Sequence, residues 1–440
     1  MRPRFFQNSR YRAFALREQM RRLVFWAGAV LVAAAAILFA KGSALAFGAF
    51  SDAQHRFPWL PFLLCPAGLC VSLWMTGRFF KGAQGSGIPQ TIAAINDPVV
   101  AAGGVLSLKV ACGKILITML GLASGASIGR EGPSVQIGAA IMAWLGRVLD
   151  LPPAGLQRSL VLAGGAAGVA AAFNTPLAGV VFAIEELSRS FDARTSGRVF
   201  SAVIMAGIVS LAALGNYSFF GHTDATLDLV NGWRAVLVCG AAGGGAGGGF
   251  AAILVAFSRH GLPGAAGRFC RDHPVLFTAL CGLLLAALGW LSGGTTYGTG
   301  YQETRALLDG GPVSPAWGLA KMAATIVSFA SGIPGGIFSP SLAVGAGLGA
   351  ALSAILPAAP SGAAIILGMV AYFAGAVQAP ITAVVIVLEM IDNQAMTIPM
   401  MAAALISVTV SRRICPKPLY KALAEKFARS AGMEQGEIKP

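Results

Sequence analysis

GASIGREGPSVQIGAA, residues 125–140, places an arginine and a glutamate side by side between glycines, inside apolar sequence. A proline and a hydrophobic run follow the glutamate, and proline is favoured in the first turn of a helix. The stretch therefore predicts a helix that begins near Arg130, Glu131 and Gly132. The free backbone N–H groups of a helix start attract anions, and the carboxylate of Glu131 can occupy the place of such an anion.

The second half of the chain repeats this pattern. GIFSPSLAVGA at 336–346 matches GREGPSVQIGA at 129–139, and QAPITAVVIVLE at 378–389 matches NTPLAGVVFAIE at 174–185. The two offsets, 207 and 204 residues, nearly agree. Two related halves with broken helices at equivalent places are typical of transporters, which bind their substrate where the halves meet.

Two further helix starts are predicted by the same chemistry. IFSP at 337–340 precedes an apolar run in the second half, and GSGIP at 85–89 combines glycines, a hydroxyl and a proline. Each helix start carries the equivalent of about +0.5 charge, so three that converge would offset about one anion without a formal cation. Such a site can hold an anion and still release it, as transport requires.

The composition is that of a membrane protein. The chain has 440 residues, of which 56% are hydrophobic and 11% charged. Apolar windows near the roughly 20 residues that cross a bilayer recur at about 23–40, 58–75, 100–128, 160–184, 199–215, 234–256, 275–292, 316–332, 337–357 and 380–410. Since 57 glycines and 23 prolines interrupt the chain, we expect an all-α polytopic protein with many tilted and broken helices in the lipid bilayer.

The positive charge lies mainly at the two ends. The net charge is +14, and seven arginines fall within the first 22 residues. By the positive-inside rule both termini are expected in the cytoplasm, and the same distribution argues against a nucleic-acid partner. The seven cysteines form no Cys-x-x-Cys motif and the four histidines lie apart from them, so neither a disulfide framework nor a metal site is expected.

These observations divide the chain into five segments. We expect a basic cytoplasmic N-terminal arm at 1–22, a first membrane half-repeat at 23–215, a connecting loop at 216–233, a second half-repeat at 234–410, and a final helix with a cytoplasmic tail at 411–440. The chain ends soon after residue 420, so no C-terminal nucleotide-binding (CBS) domains are expected.

Four carboxylates lie within apolar sequence, those of Glu131, Glu185, Glu186 and Glu389. A carboxylate at bilayer depth costs about 2.5 to 3.5 kcal/mol on insertion scales, so such groups usually face a cavity and act there. A hydrogen-bonded structural acid is the alternative for each. Protonation would neutralise Glu131 and release it from the helix start, so that one side chain could compete with an anion and carry a proton.

Four segments resemble the signature motifs of the CLC chloride channels and transporters, and most closely the prokaryotic H⁺/Cl⁻ exchange type. They are GSGIP at 85–89, GREGPSVQ at 129–136, GGIFSP at 335–340 and PLY at 418–420. The resemblance implies a homodimer with one anion pathway per subunit and two inverted halves. It further implies a transporter of chloride and protons in a prokaryotic inner membrane, with no enzyme activity and no cofactor besides bound chloride ions.

The resemblance also implies roles for single residues. Glu131 matches the external gating glutamate, and Glu186 matches the internal glutamate that loads protons in the family's exchangers. The implied anion-binding groups, hydroxyls and backbone amides, belong to Ser86, Ile337, Phe338 and Tyr420. The supporting residues beside them are Arg130, Gly132 and Lys114. Lys114 would add positive potential, although a lysine can also extend its ammonium group to the membrane surface.

Three other functions remain open. A passive channel can share this fold, but channels of the family usually lack the acid present at Glu186. Gln90 stands where many relatives carry glutamate and resembles the fluoride exporters, which tend to lack the hydroxyls of Ser86 and Tyr420. The G-x-S-x-G pattern around Ser127 indicates a serine hydrolase only on a strand-turn-helix with a histidine nearby, and a small serine packing between helices explains it better.

Overall fold

The computed structural model describes residues 4–150, 154–188, 193–215, 217–356 and 359–436. Parts of the predicted segments lie outside the described residues, namely 1–3 of the arm, 151–153 and 189–192 of the first half, 216 of the loop, 357–358 of the second half and 437–440 of the tail. Within the described ranges the chain forms nineteen α-helices and one π-helical turn and has no strand, so the all-α prediction is confirmed.

The first half contains α1 Arg4–Arg56, α2 Pro61–Arg78, α3 Ile88–Asn96, α4 Pro98–Ala102, α5 Leu108–Ala123, α6 Glu131–Val148, α7 Ala154–Phe173, α8 Pro176–Phe182, the π-helical turn Ala183–Ser188 and α9 Ala193–Leu214. The second half contains α10 Leu229–His260, α11 Gly264–Asp272, α12 Pro274–Leu291, α13 Tyr301–Leu308, α14 Trp317–Ala330, α15 Phe338–Ser353, α16 Ser361–Val377, α17 Pro380–Ile391, α18 Thr397–Ile414 and α19 Leu419–Gly436.

Some helix ends differ from the predicted segment boundaries. Helix α1 is 53 residues long and passes residue 22 without a break, because the basic arm contains seven arginines together with glutamine, alanine and leucine, which favour helix. Helix α10 already begins at Leu229, inside the predicted connecting loop, and α18 continues to Ile414, beyond residue 410. The predicted arm and the first apolar window are therefore parts of one helix.

Six helices in the described ranges are long and apolar enough to cross a membrane, or seven spans if the bent pair α18 and α19 counts as one. The predicted windows at 160–184 and 380–410 are each divided in two, the first where Pro176 opens α8 and the second between the end of α17 at Ile391 and the start of α18 at Thr397. Pro380 opens α17 at the start of the second window. Asn174 and Gln378, two residues before these prolines, both have left-handed torsions, with φ of 58° and 61°. The two halves therefore break at equivalent places.

Close helix crossings also repeat between the halves. Helix α6 packs on α7 through Gly138 and Gly164, and α15 packs on α16 through Gly345 and Gly368. A Cβ atom on any of these glycines would collide with the backbone of the opposite helix. Small residues allow the backbones to approach in this way, and the conserved spacing within the chain gives the two halves matching cores.

Candidate functional site

The starts of α3, α6 and α15 meet at the centre of the protein. Gly129 and Gly336 form an isolated antiparallel bridge, in which each N–H donates to the other carbonyl at 2.6 and 2.8 Å. Gly335 donates its N–H to the carbonyl of Gly85 at 3.1 Å. These bridges lie within three residues of the three helix starts. The N–H groups of a first helical turn have no partner within their own helix, so this junction concentrates free donors.

Glu131 is the first residue of α6, where the sequence predicted a helix start. Its side chain is 1% exposed, and neither carboxylate oxygen has a hydrogen-bond partner within the described part of the chain. The nearest charge is the Nε atom of Arg130, 4.0 Å from Oε1. A buried carboxylate without hydrogen bonds is held mainly by the helix dipole and this cation, so an anion or a proton can displace it at low cost.

Arg130 is held by groups other than the Glu131 carboxylate. Its Nη1 donates to the carbonyl of Ala40 in α1 at 2.9 Å. Its guanidinium also lies over the ring of Phe219, 5.8 Å from the ring centre. Movement of Glu131 would therefore leave the arginine in place, as a fixed positive charge beside the start of α6.

Ser86 and Tyr420 supply hydroxyl donors beside the same junction. Ser86 precedes the start of α3, and a Cβ atom on Gly132 would collide with its Oγ atom. Tyr420, in the first turn of α19, is fully buried, and its phenol is close enough to the carboxylates of Glu131 and Glu186 for an electrostatic interaction. Among the described residues neither hydroxyl has a hydrogen-bond partner. Buried donors without a partner are rare, and here they fit an anion such as chloride.

Ile337 and Phe338 provide the amide donors from the second half. Ile337 is the N-terminal cap of α15 and Phe338 its first residue, as the repeated motif predicted. The first turn of this helix is closed by a hydrogen bond in which Ser341 donates its N–H to the carbonyl of Ile337 at 3.0 Å. The earlier N–H groups therefore have no partner within the helix. They lie beside the start of α6, since a Cβ atom on Gly336 would lie 3.1 Å from the backbone nitrogen of Gly132.

Glu186 lies in the π-helical turn that follows α8, and its side chain is fully buried. Such turns insert one extra residue per turn and occur often at functional sites. Because Tyr420 interacts electrostatically with both Glu186 and Glu131, the two predicted proton carriers lie near one phenol. The periodicity of the apolar sequence gave no sign of the π-helical turn.

Glu185 and Glu389 have the structural role that was the alternative for each. Glu389, near the end of α17, accepts hydrogen bonds from the N–H groups of Leu177 and Ala178 at the start of α8, at 3.1 and 2.6 Å. Glu185 accepts from Ile381 and from the residue after it at the start of α17, at 3.2 and 2.6 Å. Each half thus caps a helix of the other half.

Lys114 and Gln90 hold the loop that carries Ser86. Lys114 is fully buried and donates from Nζ to the carbonyls of Ala83 and Gly85, both at 2.6 Å, so its ammonium group does not extend to the membrane surface. Gln90 accepts from the N–H of Gly87 at 3.1 Å, and its amide nitrogen donates to carbonyls of the same loop. Gln90 therefore supports the loop and leaves anion contact to the hydroxyl donors.

Ser127 joins the two halves. Its Oγ atom lies 3.0 Å from Oγ1 of Thr325, and its N–H donates to Oγ of Ser328 at 3.0 Å. The residue is fully buried between α5 and α6, with no strand in the described chain to form the turn that a hydrolase needs. Its predicted role as a small residue between helices is confirmed.

The helix junction lies between two cavities. One, of about 270 Å³, is lined by residues that include Gln84, Ser86, Phe257 and Lys426, and we call it the Ser86 vestibule. The other, of about 330 Å³, is lined by residues that include Arg130, Glu131, Tyr217, Gly300 and Glu303, and we call it the Glu131 vestibule. An ion passing from one vestibule to the other would meet the hydroxyl of Ser86 and the carboxylate of Glu131 in succession.

Comparison with known sequences relates most of the chain to one family. Residues 67–412 match the model of the family described as voltage gated chloride channel. The H(+)/Cl(-) exchange transporter ClcA of Vibrio vulnificus is 30% identical over 424 residues, covering 88% of this chain and 84% of the relative. The ClcA protein of Cronobacter sakazakii is 31% identical over 409 residues, covering 87% and 83%.

Solved structures share the fold at lower identity. A slow cyanobacterial Cl⁻/H⁺ antiporter is similar with a TM-score of 0.77 at 23% identity, over 94% of this chain and 99% of the other. A CLC-type fluoride/proton antiporter is similar with a TM-score of 0.77 at 24% identity, over 92% and 98%. The two structures have the same TM-score, so the fold alone does not indicate which anion is transported.

Proposed function

The chain belongs to the voltage gated chloride channel family, and on that premise we propose that it exchanges chloride for protons across a membrane. Its relatives are named as ion exchange transporters and not as enzymes. The observation that carries the proposal is the buried carboxylate of Glu131, which starts α6 without a hydrogen-bond partner in the described chain. This group lies at the junction where the anion donors converge.

Glu131 would couple the two ions by competing for one place. In its ionised form the carboxylate satisfies the positive helix start of α6, as a bound anion would. A proton neutralises it, and the neutral side chain can turn into the Glu131 vestibule while chloride takes its position. The two ions then alternate at one site, because chloride and the carboxylate cannot occupy the same space, and this alternation is the basis of exchange.

Glu186 supplies the second proton position that exchange requires. Its side chain is fully buried and lies, like that of Glu131, near the phenol of Tyr420. A passive channel needs no second acid, whereas an exchanger must bring protons to Glu131 from the side opposite its vestibule. A buried carboxylate is costly to maintain without such a function, so the presence of Glu186 favours an antiporter over a channel.

Chloride is the anion that the donor set favours. Ser86 and Tyr420 offer hydroxyls, and the start of α15 offers backbone amides, all of them uncharged. An anion held by neutral donors must give up its water, which costs less for chloride than for strongly hydrated fluoride. The amide of Gln90, the residue that raised the fluoride alternative, hydrogen-bonds to its own loop.

We further expect a homodimer in a prokaryotic inner membrane, with both termini in the cytoplasm as the arginine distribution indicates. Helices α8, α9, α17 and α18 carry exposed apolar side chains, which are Leu177, Ile204, Ile208, Ile381, Ile398 and Leu405. The partly exposed carboxylates of Glu185 and Glu389 contact the starts of α17 and α8, two of these helices. Lipid solvates carboxylates poorly, so a second copy related by a two-fold axis suits this face better.

The proposal is tested by reconstituting the full chain in liposomes and recording chloride efflux and external pH together. Wild-type protein should move protons uphill when a chloride gradient drives it. Glu131→Gln, which mimics the protonated carboxylate, should pass chloride without moving protons. Asp309→Asn, an exposed acid at the end of α13, serves as the matched control and should behave as wild type.

Two outcomes would contradict the proposal. Chloride efflux from wild-type protein without any proton movement would identify a passive channel. Fluoride efflux at high rate with little chloride efflux would place the protein with the fluoride exporters, and Gln90 would then have been the more informative residue.

A further inference from the structure

A third pair of segments repeats between the halves. GSGIPQ at 85–90 and GTGYQE at 298–303 share their glycines and a hydroxyl at an offset of 213 residues. Helices α3 and α13 begin within these segments, at Ile88 and Tyr301, and both N-terminal caps are glycines with positive φ, 102° at Gly87 and 79° at Gly300. A Cβ on Gly87 would meet the side chain of Gln136, and one on Gly300 would meet Ala343, the residue at the equivalent place in α15. The two helix starts are therefore structural counterparts.

A buried lysine holds each of these segments. Lys321 in α14 lies 207 residues after Lys114 in α5, and both are fully buried. Lys321 donates from Nζ to the carbonyls of Thr296, Tyr297 and Gly298 at 2.9, 3.2 and 2.7 Å. These carbonyls precede α13 just as the carbonyls bound by Lys114 precede α3. Each ammonium group fixes the loop in front of one helix start.

The two segments differ in charge at the third position of the helix. Gln90 occupies this position in α3 and uses its amide to bind the loop. Glu303 occupies it in α13, where its carboxylate interacts with the charge of Lys321. Since the first half holds the same loop with a neutral amide, the loop and lysine do not require a carboxylate. The carboxylate of Glu303 is therefore available for another purpose.

Glu303 also borders the Glu131 vestibule, together with Glu131 itself. The vestibule has a volume of about 330 Å³, which is well above the roughly 30 Å³ that one water molecule occupies in the liquid, so several waters fit. Two carboxylates at the edge of one such space can exchange a proton through water. On the opposite side of the junction, the Ser86 vestibule has no acid among the described residues that line it.

We propose that Glu303 relays protons between the solution on the vestibule side and Glu131. The proposal rests on the proton exchange proposed above and adds the group through which protons enter and leave on that side. A proton from vestibule water binds the Glu303 carboxylate, then passes through water to Glu131, whose neutral form leaves the helix start. Glu303 returns to its ionised form, and the reverse sequence releases a proton.

The groups around Glu303 allow it to exist in both protonation states. Burial disfavours its ionised form, while the charge of Lys321 in α14 favours it. Arg130 and Glu131 line the same vestibule from the start of α6, and Tyr217 lines it from the connecting loop. On its own helix the titratable neighbours are Tyr301 and Arg305; α15, which packs on α13, contains none, and α16, which also packs there, contains only Tyr372.

The test compares wild type with Glu303→Gln in planar bilayers, with the pH varied on one side at a time. Wild-type turnover should depend on the pH on the side of the membrane that the Glu131 vestibule faces. That side is identified as the one on which Glu131→Gln changes the response to pH. Glu303→Gln should reduce coupled turnover about tenfold, within the usual range for loss of an acid–base group, and flatten the pH dependence on that side only. Glu303→Asp, which keeps the carboxylate, should restore most of both, and chloride affinity by calorimetry should be unchanged.

Asp309→Asn, in the same helix but outside the vestibule, is the charge-matched control and should leave both readouts at wild-type values. If Glu303→Gln is not folded, the double variant Glu303→Gln/Lys321→Gln, which removes both charges of the pair, provides the same test. Wild-type turnover and pH dependence in either variant, or an equal effect of Asp309→Asn, would overturn the relay. Failure of the exchange itself would be recognised separately, since wild-type protein would then move no protons.

Discussion

Gly132 has no side chain and affects the anion site only through close packing. Gly132→Ala therefore tests that packing directly. Gly132 is the second residue of α6 and has helical torsions, so alanine meets no backbone strain there. Its Cβ would lie 2.7 Å from the carbonyl oxygen of Ser86 and 3.3 Å from Cα of Gly336, and it would overlap Oγ of Ser86. Rotation of the serine relieves only the last contact, because the other two atoms belong to the backbone.

The magnitude follows from two opposing effects. Alanine is favoured over glycine within a helix by about 0.5 to 1 kcal/mol, while an extra methyl group in a packed interior costs about 1 to 3 kcal/mol. The folded protein should therefore lose at most about 2.5 kcal/mol of stability. The loop of Ser86 must shift to admit the methyl group. We therefore expect the full packing cost to appear in the free energy of chloride binding. A cost of 1 to 3 kcal/mol weakens chloride binding by about 5- to 150-fold.

Isothermal titration of the detergent-purified protein with chloride measures the affinity, and thermal unfolding measures the stability. Gly249→Ala is the matched control, because this glycine of α10 has nothing within 4 Å of its Cβ position. The control should keep wild-type affinity and equal or greater stability. Wild-type chloride affinity in folded Gly132→Ala, or an equal loss in Gly249→Ala, would refute the proposed contact between Gly132 and the anion site.

Three further outcomes are expected. Glu186→Gln should abolish proton movement in liposomes while calorimetry still detects chloride, and unchanged coupling would assign the proton path elsewhere. Tyr420→Phe, which removes only a hydroxyl, should weaken chloride binding about tenfold, the value of one hydrogen bond to a charged group. The Asp224 carboxylate, with Asp392, raises the pKa of His222 above 6.5. Protonated His222 therefore stabilises the folded protein fully below that pH, and this stabilisation is lost as the pH rises through the raised pKa. His222→Ala should lower the melting temperature by about a degree near pH 5.5 and not near pH 9.

The sequence predicted the helix starts well, because they depend on local chemistry. Prolines in the first turn and glycines before it placed the beginnings of α6 and α15 within a residue of Glu131 and Phe338. The breaks before Pro176 and Pro380 lie in the matched segments 174–185 and 378–389, but 160–184 had been predicted as one apolar window. Local signals of this kind do not require knowledge of the rest of the fold.

Contacts between distant segments could not be predicted. Glu389 caps a helix that begins more than 200 residues earlier, and no local pattern distinguishes such a cap from an acid in a cavity. The counterpart of Gln90 also escaped notice, since GSGIPQ and GTGYQE share few identities and Glu303 lies in a more polar stretch. Its position became clear only from the hydrogen bonds of Lys321.

The internal repeat separates acids that hold the fold from acids suited to move protons. Glu185 and Glu389 occupy equivalent positions in the two halves, and each caps a helix of the opposite half. A role demanded by the symmetric fold must be filled twice, so repeated acids have structural roles.

Glu131, Glu186 and Glu303 are not repeated. Their counterparts, at offsets of 207, 204 and 213 residues, are Phe338, Met390 and Gln90. The fold itself can therefore be built with an uncharged residue at each of these positions, and the cost of burying a carboxylate there is not a cost of folding. Two of the three border the Glu131 vestibule, and the third, Glu186, is not among the residues that line it. A proton path across the protein requires that unequal distribution of acids. Two identical halves would carry acids at symmetric positions, and the gate would then not differ from the anion site.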